Sequence, residues 1–232
     1  MNFAAFLYGL SVWALPVIIA VTFHEVSHGL VAKWFGDDTA YMLGRVNFNP
    51  LRHVDPIGTI ALPAILYFGG GFIFGYARPV PVDFRRLNHP KQDMVWVAAA
   101  GPTMNLLLAF ASGFLLHLAV VTPDFVRSWA LLNLDNSIQI NIMLAVFNML
   151  PLPPLDGGRV AVGLLPMALA RPLASLERYG FFILFFMIFF LPIIGRHMGL
   201  DLNVLHWLLS DPVNFLYRAM RWLTGTYDMT EI

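Results

Sequence analysis

The chain has 232 residues, of which 58% are hydrophobic and 12% are charged, and its formal net charge is zero. This composition is far from that of a soluble domain and indicates a membrane protein. A neutral chain without a basic run lacks the electrostatic footprint of a nucleic-acid-binding protein, so we expect no nucleic acid partner. Because the chain contains no cysteine, nitrogen and oxygen atoms would have to hold any bound metal.

Several apolar stretches are long enough to cross a bilayer, which takes roughly 20 residues of α-helix. In chain order, the predicted spans cover about residues 4–30, 94–121, 137–156 and 179–195, with a short connection at 122–136. Residues 202–223 are ambiguous between a crossing and an interfacial helix, because charged residues and an internal Asp-Pro interrupt the apolar pattern.

The segments between the first two spans are more varied. Residues 40–55 mix alternating stretches with turn residues and predict strand and turn. Residues 56–75 are apolar but broken by glycines, and the proline-rich segment 77–82 is either an edge strand or a rigid loop. We therefore predict an α-helical polytopic membrane protein with about four to six membrane segments and short edge strands.

We expect one membrane-embedded domain over residues 1–232. Its core is predicted to cover about residues 4–160, and its C-terminal membrane segments about 179–223.

Chemistry is indicated first by the sequence HEVSH near the end of the first span. His24 and His28 are four residues apart and share a helix face, and Glu25 adjoins the first of them. This is the arrangement of zinc hydrolases, in which the glutamate acts on a metal-activated water. With seven histidines and three glutamates in the chain, chance gives about 0.003 such matches.

A catalytic zinc needs three protein ligands and one open position, so a third ligand must come from elsewhere. Asp156 directly follows a predicted span, in the sequence NMLPLPPLDGG. Its neighbouring prolines and glycines break the helix, which allows the backbone to present the carboxylate inward. By itself such a residue is more often a helix cap; beside HEVSH, we interpret it as the third ligand.

HEVSH on an early span, AGPTMN on a middle span and NMLPLPPLDGG on a later one resemble the site-2 protease family of intramembrane zinc metalloproteases. The resemblance covers about residues 20–160. It implies that His24, His28 and Asp156 bind Zn²⁺ and that Glu25 is the general base. It also implies a transmembrane segment of another protein as substrate, within a lipid bilayer. The chain has no room for PDZ or CBS domains, so a compact member is expected.

Two asparagines within the apolar spans are further candidates. The family pattern places Asn105 near the active site, and Asn148 lies just before the predicted ligand loop. Each either orients the substrate or makes a hydrogen bond between helices, which is the commoner use of an amide inside a membrane. The sequence leaves both interpretations open and does not indicate an oligomeric state.

Two other classes of function remain as alternatives. A metal-ion transporter or channel component would explain buried histidines and aspartates, but not a glutamate next to the first histidine. A catalytically inactive relative would bind membrane segments without cutting them, although every catalytic residue type is present.

The two metal-binding segments must meet at one depth, which constrains the topology. The first span and the span before Asp156 should end on the same side of the membrane, so residues 56–75 would form a re-entrant segment. That side would carry ten of the fourteen basic residues, and the positive-inside rule makes it cytoplasmic. We expect a multi-pass protein of a prokaryotic plasma membrane.

Overall fold

The computed structural model describes residues 3–61 and 78–228, and helices dominate both parts. The helices are α1 (Phe3–Trp34), α2 (Thr39–Met42), α3 (Pro90–Val120), α4 (Asp124–Asn148), α5 (Asp156–Leu164), α6 (Met167–Ser175), α7 (Glu177–Met198) and α8 (Val204–Leu223). Short 3₁₀ turns lie at Pro50–Arg52 and Phe84–Arg86, and a π-helical turn lies at Pro56–Ala61.

Within the described residues, four helices are long and apolar enough to cross a membrane: α1, α3, α4 and α7. This confirms the prediction of an α-helical polytopic membrane protein. The predicted spans were too short at several ends, because polar residues continue the helices beyond the apolar stretches. The amphipathic α8 is not among the four, and three charged residues interrupt it.

Helices α1, α3 and α4 pack against one another and form the bundle that carries the site. Its core contains Ala109, Leu116, Ile138 and Ile142 on α3 and α4, and α8 packs Leu216 and neighbouring residues against them. A small residue such as Ala109 lets neighbouring helix backbones approach closely, as is common where helices meet in membranes.

Helix α1 ends where Gly36 takes a backbone conformation that suits glycine. Its φ angle is +104°, and a β-carbon there would lie 2.8 Å from the Asn88 side-chain oxygen. Because other residues rarely adopt this φ, the glycine turns the chain away from the helix axis.

The expected β-strands are not present in residues 3–61 and 78–228. Thr39–Met42 forms a helical turn instead of strand, and residues 78–83 are extended but pair with no other strand. Pro79 and Pro81 have no N–H to donate to a β-ladder. The N–H between them, that of Val80, donates to a side chain of α1. The predicted edge strand is therefore wrong, and the alternative of a proline-rich loop describes this segment.

The predicted connection at 122–136 is also wrong, because α4 begins at Asp124. The polar residues that suggested a loop have partners inside the bundle. Asn136 is buried and donates to the Val12 carbonyl oxygen at 3.0 Å, and Asp135 accepts from Arg221 of α8 at 3.0 Å. Satisfied polar groups can remain in a membrane helix, so the span is longer than its apolar part.

The predicted re-entrant segment at 56–75 lies mostly outside the described residues, of which it includes only Pro56–Ala61. It stays a prediction.

Candidate metal centre

Two imidazoles of α1 form the first half of the site. His24 and His28 are buried, and their Nε2 atoms lie 3.0 Å apart. The rings meet edge to face, with centroids 4.7 Å apart. Their four-residue spacing on one helix face produces this approach, as the sequence predicted.

The third predicted ligand is brought to the same point by α5. Asp156 is its first residue, and Asp156 Oδ2 lies 3.2 Å from His24 Nε2 and 3.4 Å from His28 Nε2. The loop before it packs so tightly that a β-carbon on Gly157 would lie 2.2 Å from the Met149 carbonyl oxygen. Only glycine fits there, which explains why the aspartate is followed by a residue without a side chain.

Hydrogen bonds behind the imidazoles determine which ring nitrogens carry protons. His28 Nδ1 donates to the Val97 carbonyl oxygen at 2.7 Å, and His24 Nδ1 lies 2.6 Å from Asn105 Oδ1. Asn141 donates its amide to the Ser137 carbonyl oxygen, which leaves its Oδ1 to accept from Asn105 Nδ2 at 2.8 Å. Asn105 Oδ1 is therefore the acceptor for His24, and both imidazoles are protonated at Nδ1.

With both protons at Nδ1, the two Nε2 lone pairs and Asp156 Oδ2 point at one another without a hydrogen between them. Asp156 Oδ2 is buried and has no hydrogen-bond donor within residues 3–61 and 78–228. Such a group of converging acceptors is unfavourable unless a cation lies among them. For zinc bound at about 2.0 Å, tetrahedral ligands are roughly 3.3 Å apart, which agrees with the three separations here. The donor set therefore fits a zinc ion.

The AGPTMN motif also has a physical role at this centre. A β-carbon on Gly101 would lie 2.5 Å from His24 Cε1 and 2.5 Å from His28 Nε2. Helix α3 can therefore pack against the imidazoles only because it has glycine at this position. Four residues later on the same helix, Asn105 reaches His24 from behind.

Glu25 lies beside the three candidate ligands and helps to line a cavity of about 280 Å³. Its Oε2 accepts the Val80 N–H at 2.7 Å, which ties the loop of residues 78–83 to α1. The same cavity is bordered by Val80, Phe84 and Asn148. The site thus combines three candidate metal ligands, a half-buried carboxylate and an adjoining space for a substrate.

The two asparagine candidates lie in different surroundings. Asn105 is fully buried and contacts His24 and Asn141. Asn148 borders the cavity, and its amide donates to the Leu144 carbonyl oxygen at 3.0 Å. One amide therefore lies behind a candidate ligand, and the other lies on the wall of the substrate space.

The sequence analysis missed two residues of this region. Arg159 borders the cavity, pairs with Glu177 at 2.8 Å and lies over the Phe84 ring. Asn141 orients Asn105. Signals for both were present, since Arg159 is three residues after Asp156 on one helix face and Asn141 is a polar residue within an apolar span.

Comparison with known proteins identifies relatives of this site. The model of peptidase family M50 matches residues 12–130 and 125–191. A Bacillus subtilis protein named "Putative zinc metalloprotease YwhC" is 42% identical over 188 residues, which are 79% of this chain and 82% of that protein. A Mycolicibacterium smegmatis protein named "Putative zinc metalloprotease Rip2" is 29% identical over 72% of this chain and 62% of its own length.

A more distant relative is archaeal. A Methanocaldococcus jannaschii protein named "Putative zinc metalloprotease MJ0611" is 33% identical over 60% of this chain and 62% of its own length. No solved structure matches the chain significantly. The family model covers most of the chain, including the three candidate ligands. The names of the relatives include zinc, the metal that the geometry of His24, His28 and Asp156 fits in this chain. The chain therefore belongs to peptidase family M50, that of the site-2 proteases, and is a zinc metalloprotease.

Proposed function

We propose that this zinc metalloprotease hydrolyses a peptide bond within or next to a transmembrane segment of another membrane protein. The observation that carries the proposal is the position of the candidate ligands. His24 and His28 belong to a helix of membrane-spanning length, and Asp156 follows another. A substrate that reaches this site laterally would come from the lipid.

In this proposal His24, His28 and Asp156 hold the metal. Bound zinc would supply an activated water and an electrophile for the scissile carbonyl. Asn105 and the Val97 carbonyl oxygen hold the imidazoles with their Nε2 lone pairs directed inward. Such hydrogen bonds orient metal ligands and increase their basicity.

Glu25 is proposed as the general base. Its carboxylate accepts the proton of the attacking water and then delivers it to the leaving amine. The Val80 N–H bond to Oε2 orients this carboxylate toward the cavity.

The substrate must unwind before it is cut, because a helix hides its carbonyl groups in its own hydrogen bonds. We propose that the unwound segment lies in the cavity beside Glu25, where the Asn148 amide and Arg159 guanidinium can contact its backbone. Val82, Phe84 and Val97 provide apolar walls for its side chains.

We further propose that the end of α1 that carries His24 and His28, and the end of α4 that precedes Asp156, face the cytoplasm of a plasma membrane, and that the chain acts as one domain. This orientation is supported by basic residues in the loops on that side. A single cysteine at position 88, labelled only from the outside of intact cells, would contradict it.

The decisive experiment compares wild-type protein with Glu25→Gln on a panel of single-span membrane substrates, with zinc measured in both. We expect cleavage to fall about 10²–10⁴-fold, the usual contribution of a general base, while zinc is retained. Asp124→Asn is the matched control, because this carboxylate is 90% exposed and pairs only with Arg127 among the described residues.

The position of the cut distinguishes the finer proposal from a general protease. Mass spectrometry of the products should place the cut within or next to the membrane segment. Cleavage confined to soluble loops would contradict the proposal, as would unchanged turnover by Glu25→Gln.

A further inference from the structure

A second cavity lies beside the catalytic one, and nothing in the proposed reaction uses it. Its volume is about 570 Å³, and Pro79 borders both cavities. The described residues that line it are Leu43, Arg45, Leu51, Arg52, Val54, Arg78, Pro79 and Pro81. Three arginines therefore surround an otherwise apolar space, and none of the lining residues is acidic.

The three arginines have different partners. Arg45 is held by backbone oxygens, since its guanidinium donates to the carbonyls of Arg52 at 2.6 Å and Arg78 at 2.8 Å. The Arg52 and Arg78 side chains are exposed. The ion pairs among the described residues involve none of the three. The positive charges of Arg52 and Arg78 are therefore available to an external anion.

The cavity lies along the second half of α1, near the level of the catalytic residues. The Phe48 ring lies 4.8 Å from the Phe23 ring, and a β-carbon on Gly29 would lie 2.8 Å from Val46. With a rise of 1.5 Å per residue, Gly29 and Phe23 are roughly 8 and 16 Å from the end of α1. This places the cavity near one end of a candidate membrane span, where headgroups meet acyl chains.

The surroundings of the arginines are apolar and exposed. Leu51 is 78% exposed, Ile57 67%, Leu43 62% and Phe48 53%. Exposed apolar side chains next to arginines are typical of a membrane interface, where the chains contact lipid tails and the guanidinium groups contact phosphates.

We propose that this cavity binds the headgroup of an anionic phospholipid. Arg52 and Arg78 contact the phosphate, and Arg45, which lines the same cavity, supplies further positive charge. Leu43, Leu51 and Val54 contact the upper part of the acyl chains. Arginine suits this ligand because its planar guanidinium can donate two hydrogen bonds to one phosphate.

An acidic segment of a protein substrate is the competing occupant. The exposed apolar residues around the arginines favour the lipid, because its acyl chains can cover Leu51 and Ile57 while its phosphate contacts the guanidinium groups, whereas an acidic segment would leave these apolar side chains uncovered. The lipid site borders the loop that carries Val80, so an effect of lipid on turnover is also expected; that part alone rests on the proposed function.

Native mass spectrometry tests the binding without any protease assay. The full chain is reconstituted in a one-to-one mixture of phosphatidylglycerol and phosphatidylcholine, and the retained lipids are counted. We expect wild type to retain phosphatidylglycerol preferentially and Arg52→Gln/Arg78→Gln to lower its retention about tenfold or more. Arg52→Lys/Arg78→Lys, which keeps the charge, should retain most of it.

Arg85→Gln/Arg171→Gln is the matched control, because it removes two exposed arginines outside the cavity and should leave retention unchanged. Thermal unfolding in phosphatidylcholine alone shows whether each variant is folded. Equal retention by the Arg52→Gln/Arg78→Gln variant and wild type would overturn the proposal. A second result would also overturn it. If Arg52→Glu/Arg78→Glu loses activity, and substrates in which lysines replace the acidic residues beside the membrane segment restore it, the cavity binds the substrate peptide.

Discussion

Two polar clusters lie within the helix bundle, and they differ in whether their carboxylate has hydrogen-bond donors from the protein. In the first, Asp135 accepts hydrogen bonds from Tyr217 at 2.6 Å, from Gln139 at 2.7 Å and from Arg221 at 3.0 Å. In the second, Asp156 Oδ2 faces the Nε2 atoms of His24 and His28 and has no hydrogen-bond donor in the part of the chain that the structure describes.

The comparison separates a structural cluster from a ligand-binding one. The Asp135 carboxylate has its donors within the protein, so it needs no external cation, and it joins α8 to α4. Two nitrogen atoms of Arg221, Nε and Nη2, have no acceptor among the described residues. The three acceptors at Asp156 are held together by surrounding helices even though they repel one another. Three converging acceptors without a hydrogen between them mark a place where a cation is expected.

The largest expected effect separates the two clusters directly. Asp156→Asn removes a charged ligand, so we expect zinc content in purified protein to fall to about a tenth or less of one per chain and cleavage to be lost. Asp135→Asn makes the same chemical change in the Asp135 cluster and should leave the zinc content unchanged. Zinc measured by atomic absorption gives the answer, and equal loss in both variants would contradict the distinction.

A smaller effect is expected when the ligands are kept but displaced. In Gly101→Ala the added methyl carbon would lie 2.5 Å from ring atoms of both imidazoles, so the rings must move or α3 must shift. We expect turnover to fall about a hundredfold and zinc affinity to weaken, because misplacement by about 1 Å has effects of this size. Gly9→Ala on α1 is the control, since no atom lies within 4 Å of its added carbon.

Loss of the hydrogen bond behind His24 should have a smaller effect than displacement of the His24 ring. Asn105→Ala removes the acceptor of the Nδ1 proton, and zinc affinity measured by competition with a chelator should fall about tenfold. Asn133→Ala is a suitable control, because this buried amide donates to the Trp129 carbonyl oxygen away from the metal. An unchanged affinity in Asn105→Ala would mean that packing alone orients the imidazole.

The smallest effect is expected for Tyr217, in the Asp135 cluster. Burial and the hydrogen bond to Asp135 raise the pKa of Tyr217 to about 12. A tyrosine whose pKa is raised by folding stabilises the protein fully below pH 10, and that contribution is lost as the pH rises from about 10 to 12. Tyr217→Phe should lower the free energy of unfolding at pH 8 by about 1 kcal/mol.

The same variant should lose less stability than wild type between pH 10 and 12, as measured by unfolding in detergent. Its zinc content should equal that of wild type. An identical loss in both proteins over this pH range would contradict the role of Tyr217.

The class of the protein and its candidate ligands could be predicted from the sequence alone. Long apolar stretches determine membrane helices because an unsatisfied backbone is too costly in lipid. The spacing of His24 and His28 determines that they share a helix face, whatever surrounds the helix. Asp156 could be predicted because the prolines and glycines around it break the helix, and this effect depends only on neighbouring residues in the chain.

Only the tertiary structure decided which distant groups meet. Nothing local in Gly101 shows that its missing side chain makes room for two imidazoles, and nothing local in Asn105 shows that Asn141 orients it. The N–H of Val80 bonds to Glu25 across 55 positions in the chain, instead of joining a sheet edge. The polar start of α4 resembled a loop because its partners lie on α1 and α8. Each of these outcomes depends on long-range packing, since a polar or missing side chain acquires its role from whatever other helix lies against it.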